Sequence, residues 1–255
     1  MSIVKEKTQK IWSRKIYLIP NLFTTANMFC GFVAIIMAIQ GRFEASVWLV
    51  VVGMFFDSLD GRLARLTRST SDFGVEYDSM SDLITFGLAP AIISYLWALS
   101  SFGRMGWLLA FLYMICAALR LARFNTLVDV VPKGYFQGVP SPCAATTLVT
   151  TIVFYQELGF TFPKHYLVIP VLLVTASLMI STFRFPSFKN VKVNRENYFG
   201  YFCLLVLVLT LVAIKPEVTF FTIGALYIVI GLAFEVYRLI FAKAEVIESA
   251  EQTGI

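Results

Sequence analysis

Asp57 and Asp60 stand three residues apart, and Asp78 and Asp82 four apart, at or beside the ends of hydrophobic runs. On helices both spacings put each pair on one face. Carboxylates at membrane depth are expensive, and their default meaning is functional. If the two pairs face each other, four carboxylates converge, and such charge is stable only when cations neutralise it. Oxygen ligands favour hard ions, magnesium, manganese or calcium, over zinc. One chemistry for such a centre is transfer of a phosphorus-bearing group. It needs charge neutralisation, an in-line nucleophile and a leaving group. Two divalent ions about 4 Å apart can clamp the attacking and leaving oxygens. A cation-coupled transporter is the other class, since ion pathways also use intramembrane carboxylates. Transporter helices are broken in pairs across two halves. Here one half alone carries the cluster, and no internal repeat is visible.

The same residues form a longer pattern, D-x-x-D-G-x-x-A-R-x8-G-x3-D-x3-D, over 57–82. All eight fixed positions of this pattern resemble the signature of the CDP-alcohol phosphotransferases. These integral membrane enzymes move a phosphate-bearing group from a CDP-linked donor to an alcohol. The resemblance implies two divalent ions, Mg2+ or Mn2+, with Asp57, Asp60 and Asp78 as ligands. It implies that Asp82 joins the metal site and takes the proton of the acceptor hydroxyl. A carboxylate beside metals is a weakened base, so the physical case for Asp82 as base is thinner than that for the ligands. Gly61 and Gly74 allow close approach of a nucleotide, Ala64 keeps that face small, and Arg65 offers a planar fork to a diphosphate. By resemblance these residues line the CDP pocket, and Ser71 contacts the donor. Asn21 and Thr24, in Pro20-Asn21-Leu22-Phe23-Thr24, resemble an element near the cytidine; their chemistry also suits a helix N-cap. Arg62 and Arg68 read as topology charges.

The elements that must position these residues follow from composition. Of 255 residues, 58% are hydrophobic, and the mean hydropathy is +0.76, too apolar for an ordinary soluble domain. The net charge of +5 sits in short segments between apolar runs, so it is no nucleic-acid patch. No secretory cleavage signal precedes the first run. Cys30, Cys116, Cys143 and Cys203 lack pairing or zinc spacing and read as packing residues. His165, beside Lys164, reads as a solvated loop residue.

Crossing a bilayer takes about 20 apolar residues. Candidate spans are 22–40, 44–60, 82–101, 105–124, 142–158, 165–183, 198–214 and 218–241. The expected fold is an all-α integral membrane protein, a polytopic bundle of about eight transmembrane helices. The second is expected to break at its own aspartates. With eight spans both termini share one side. Placing them in the cytoplasm leaves only Arg42, Arg104, Lys164 and Lys215 outside, and the other Lys and Arg inside. This is a strong positive-inside bias, and it puts the aspartates at the cytoplasmic face of the inner membrane. Lys5 to Tyr17 mixes basic and aromatic residues, as an amphipathic helix on an anionic leaflet would. The organisation is a basic amphipathic segment at 1–19, a CDP-alcohol phosphotransferase core of six helices at 20–190, two further helices at 191–241 and a cytoplasmic tail at 242–255. The last two helices offer no evident chemistry, although Glu235 and Arg238 stand in pairing distance along a helix.

The acceptor is addressed by other stretches. Asn21 to Phe32, Leu119 to Asn125, Phe136 to Pro142 and Phe183 to Lys189 resemble the bacterial members of this family that accept serine. That resemblance implies transfer of the phosphatidyl group of CDP-diacylglycerol to the hydroxyl of L-serine, with release of CMP. It also implies a homodimer. Arg120 and Arg123, with Asn125 nearby, could bind the serine carboxylate. The arginines could instead snorkel to headgroups, and glycerol 3-phosphate or inositol phosphate acceptors would want arginines too.

Overall fold

The structure is a computed structural model that describes residues 2–66, 71–127, 135–186 and 198–253. Arg68, Lys133, Lys189, Lys192 and Arg195 lie outside the described residues, as do the side chains of residues 1–19, Ala64 and Arg184.

Helices stand at every expected span. The first is α1 (Ser2–Ile39) and the second α2 (Phe43–Leu66). The third column is compound: α3 (Asp72–Asp82), a π-helical stretch Leu83–Leu88, α4 (Ala89–Ser94), a second π stretch Tyr95–Leu99 and a 3₁₀ turn Ser100–Phe102. Then come α5 (Arg104–Leu127), α6 (Ser141–Glu157), α7 (His165–Ile180), α8 (Tyr198–Ile214) and α9 (Pro216–Thr253). Among the described residues four stretches are long and apolar enough to cross a membrane: Pro20–Ile39, Asp72–Phe102, Arg104–Thr126 and Pro216–Arg238. His165–Ile180 and Phe199–Ile214 are apolar but shorter. The protein is membrane-embedded and helical.

Two expectations need correction. The second helix does not break at Asp57 and Asp60; it runs on through Gly61 to Leu66. Its carboxylates face neighbouring helices, so no backbone break is needed to accommodate them. Asn21 and Thr24 are not N-caps, because α1 is one unbroken helix with Pro20 inside it. Residues 2–19 are helical and continuous with the first span. A cap stands instead at Ser71, whose Oγ accepts the backbone N–H of Gly74 at the start of α3.

The core centres on α6, where every residue from Ala144 to Val153 is buried. It packs on α2, α7 and α9. The buried face of α1 runs Pro20, Thr24, Asn27, Gly31, Ala34 and Ala38. These alternate steps of three and four make a small-residue seam that lets helices approach closely. A Cβ at Gly31 would lie 2.5 Å from Thr85 Oγ1 and 2.7 Å from its Cα, and one at Gly53 would lie 2.7 Å from Thr85 Cγ2. The first three columns thus meet at Thr85. In contrast, α8 is exposed along almost its whole length, with Phe199, Leu204, Leu205 and Leu209 among its outward residues, as a lipid-facing helix should be.

One feature was not legible in the apolar pattern. Strand β1 (Tyr135–Gln137) pairs antiparallel with β2 (Arg184–Pro186), with Phe136 opposite Phe185. The ribbon joins the two stretches singled out above, Phe136 to Pro142 and Phe183 to Lys189. Gly138, at φ 74°, turns the chain out of β1. A Cβ there would lie 2.6 Å from Met179 O. His165 also differs from expectation: it opens α7 and meets the Phe102 ring edge-on at 4.8 Å.

Candidate metal and substrate site

Both aspartate pairs lie on helices, as their spacing predicts: Asp57 and Asp60 on α2, Asp78 and Asp82 around α3. One carboxylate oxygen each from Asp57, Asp60 and Asp78 lies within 4.8 Å of the others. Asp82 sits behind them, 9% exposed, and its carboxyl interacts with that of Asp57. Packing alone does not satisfy the cluster. Asp78 Oδ1 is buried with no hydrogen-bond partner, and like-charged groups stand together with no salt bridge to them among the described residues. An oxygen-only set with a free buried oxygen fits a hard divalent cation.

Helix α1 supports the cluster from behind. Thr24 Oγ1 donates to Asp60 Oδ2 at 2.9 Å. Asn27 Nδ2 donates to Asp82 Oδ1 at 3.3 Å. Ser81 Oγ donates to Thr24 O at 2.9 Å, and Thr85 Oγ1 to Asn27 O at 2.9 Å. Asn27 was not singled out in the sequence. Its signal was present: it lies one turn past Thr24, within the same Asn21 to Phe32 stretch.

The residues expected around the nucleotide divide into two groups. Gly61 has open space where a Cβ would be, so no neighbour in the fold demands glycine there. Arg65 is exposed and folds its Nε onto Gly61 O at 2.9 Å. Gly74, Ser71 and Asn21 come together on the other side. A Cβ on Gly74 would lie 3.2 Å from Ser71 Oγ and 3.7 Å from Asn21 Oδ1.

The two arginines of α5 each find a partner within the protein. Arg120 Nη1 donates to Ser141 Oγ at 2.6 Å, at the start of α6. Its Nε is buried without a partner, and its charge acts on Asp82 and Asp57, and on the phenols of Tyr227 and Tyr113. Arg123 Nη1 points elsewhere, to Ser181 O at 3.4 Å, at the end of α7. Asn125 Nδ2 donates to Ser79 Oγ at 2.9 Å, tying α5 to the aspartate-bearing α3. Of the three, Arg120 alone turns toward the aspartates with an unused donor. In the last helix Glu235 and Arg238 do pair. Glu235 is buried, and Tyr227 brings α9 into the electrostatic surroundings of Arg120, so this helix is more than lipid-facing mass.

Comparison with known proteins agrees with this geometry. A family model described as CDP-alcohol phosphatidyltransferase matches residues 17–168. The chain is 38% identical over 234 residues to a CDP-diacylglycerol–serine O-phosphatidyltransferase of Helicobacter pylori, covering 89% of this chain and 96% of that one. It is 37% identical over 177 residues to the Bacillus subtilis protein of the same name, covering 68% and 92%. An archaetidylserine synthase of Methanothermobacter thermautotrophicus is 36% identical over 172 residues, covering 66% and 69%. With its signature aspartates converging from two helices and its matched segment spanning more than half of its length, the chain belongs to the CDP-alcohol phosphatidyltransferase family.

Proposed function

We propose that the protein transfers the phosphatidyl group of CDP-diacylglycerol to the hydroxyl of L-serine and releases CMP. The observation that carries the reaction class is the convergence of Asp57, Asp60 and Asp78 oxygens within 4.8 Å, on the family's signature positions. The serine acceptor is supported by the relatives of that name, one of them similar along 89% of this chain.

In this reading Asp57, Asp60 and Asp78 would hold two divalent ions, Mg2+ or Mn2+, and Asp82 would complete their site. When bound, the ions would neutralise the diphosphate and the charge that builds on it. The serine hydroxyl oxygen forms a bond to the phosphorus that carries the lipid. The bond from that phosphorus to the bridging oxygen breaks, and CMP leaves with the electron pair. Asp82 accepts the hydroxyl proton. Gly61 leaves room for the nucleotide, and Arg65 swings from Gly61 O to the diphosphate. Asn21, Thr24, Ser71 and Gly74 form the opposite wall of the donor site. Arg120 meets the serine carboxylate through its unused Nε. Arg123 keeps a positioning role at the end of α7, and Asn125 one at Ser79.

The site faces the cytoplasm from the inner membrane, with both termini on that side. The Lys and Arg bias supports this placement. Two copies form a homodimer, as the resemblance implies.

The test is metal-dependent CMP release from CDP-diacylglycerol by the purified protein, with serine, glycerol 3-phosphate and inositol phosphate compared as acceptors. Serine alone should support turnover. Turnover with a phosphorylated alcohol and none with serine would retain the reaction class and remove the substrate assignment.

A further inference from the structure

Asn27 is wholly buried at the crossing of three columns, a place where a polar side chain in a membrane bundle has to find its partner on another helix. Its Nδ2 donates to Asp82 Oδ1 at 3.3 Å. Its backbone oxygen is held by Thr85 Oγ1 at 2.9 Å. On the other side of the amide, Gly53 comes so close that a Cβ there would lie 3.0 Å from Asn27 Oδ1. That oxygen is buried and has no partner. The side chain is therefore clamped by α2 and the third column, and the bond it makes is to Asp82. A buried amide whose oxygen has no partner is costly.

We propose that Asn27 is the positioning residue of Asp82. Its amide N–H fixes one carboxylate oxygen and so aims the other toward Asp57 and the space in front of the cluster. This rests on the reading of Asp82 as the group that accepts the acceptor's proton. A proton acceptor has to stand within hydrogen-bond reach of the proton it takes. A carboxylate on a freely rotating arm would spend little time there. Thr24 does the equivalent for Asp60 one turn earlier, so α1 presents two donors, three residues apart, to one carboxylate from each pair. Asn27 touches no reacting atom and acts only through Asp82.

The test uses the full-length protein in detergent micelles and the near-isosteric variant Asn27→Leu, which keeps the volume and removes the donor. CMP release should fall by about tenfold or more in kcat, because a small misplacement of a reacting group is costly. KM for CDP-diacylglycerol and for the acceptor should each stay within about threefold, since neither substrate touches Asn27. Mn2+ binding, read from the electron paramagnetic resonance signal of the free ion, should weaken by no more than about tenfold, because Asp57, Asp60 and Asp78 remain in place and Asp82 keeps its carboxylate. Ser46→Ala is the packing control. It removes a buried hydroxyl bond to Ala34 O in the same α1–α2 interface, and it should leave kcat unchanged. Wild-type kcat in Asn27→Leu would overturn the proposal. So would joint loss of Mn2+ binding and activity, which would make Asn27 a support of the whole cluster. The assays use whichever alcohol the wild-type protein accepts, so failure of the serine assignment shows in the wild type alone. If the wild type releases no CMP with any alcohol, both readings fall.

Discussion

Thr24 Oγ1 donates a hydrogen bond to Asp60 Oδ2 at 2.9 Å, across 36 residues of sequence. The same threonine receives Ser81 Oγ on its backbone oxygen. One residue of α1 thus links α2 to α3 at the level of the carboxylates. Thr24→Val keeps the shape and removes the hydroxyl. Partners behind a metal ligand are typically worth about ten- to a hundredfold in metal affinity. The concentration of Mg2+ for half-maximal CMP release should rise by about that factor. Unchanged metal dependence would contradict the role given to this bond.

Asp57→Asn and Asp78→Asn should each abolish turnover while the protein still inserts into the membrane. Removing one of the carboxylates that would bind the ions directly weakens the anionic oxygen set a hard cation needs. Chelation of the wild-type protein should do the same, with activity returning on addition of Mg2+ or Mn2+. Full turnover after thorough chelation would remove the metal centre from the account.

Arg120 and Arg123 lie on one helix yet should behave differently. Arg120→Gln removes a charge-assisted hydrogen bond to the serine carboxylate, worth about 1.5–3 kcal/mol. The serine KM should rise about ten- to a hundredfold, with CDP-diacylglycerol binding little changed. Lys at this position should rescue only in part, because it has no planar fork. Arg123→Gln loses a contact to Ser181 O and should act on thermal stability, leaving the serine KM near wild type. Wild-type serine dependence in Arg120→Gln would place the acceptor elsewhere.

Two glycines separate packing from binding. Gly31→Ala puts a Cβ against the backbone of Thr85, an overpacking that should cost about 1–3 kcal/mol and appear as a lower melting temperature. Gly61→Ala meets nothing within 4 Å. It should leave the melting temperature unchanged or slightly raised, because alanine is the better helix former, and raise KM for CDP-diacylglycerol, if the open space beside it receives the nucleotide. A wild-type KM in Gly61→Ala would show that the nucleotide does not approach there.

Topology can be read by labelling. In a background with Cys30, Cys116, Cys143 and Cys203 replaced, Ser71→Cys should react with an impermeant reagent only from the cytoplasmic face. Lys164→Cys should react only from the opposite face. Reaction of both from one face would break the proposed orientation.

The sequence by itself determined the helical columns and the two aspartate pairs. Both rest on local physics: apolar runs near the length of a bilayer crossing, and spacings of three and four that any helix converts into a shared face. Asp57 and Asp60 needed only α2, and Asp78 and Asp82 only the third column, so their pairing was legible before any fold was known. Whether the pairs meet, what stands behind them and which arginine faces them depend on contacts between residues far apart in the chain. Asn27 looked like one more residue of an apolar stretch until α1 was laid against Gly53 and Asp82. Arg120 and Arg123 have the same chemistry and nearly the same position, and only the packing of α6 and α7 gave them different partners, Ser141 and Ser181. The β1–β2 ribbon lay hidden for the same reason: three-residue strands carry too little periodicity to announce themselves, and their partners are brought together only when α6 and α7 fold side by side. Periodicity fixes what a segment is, but a side chain's partner is fixed by close packing between helices, and that information resides in no single segment.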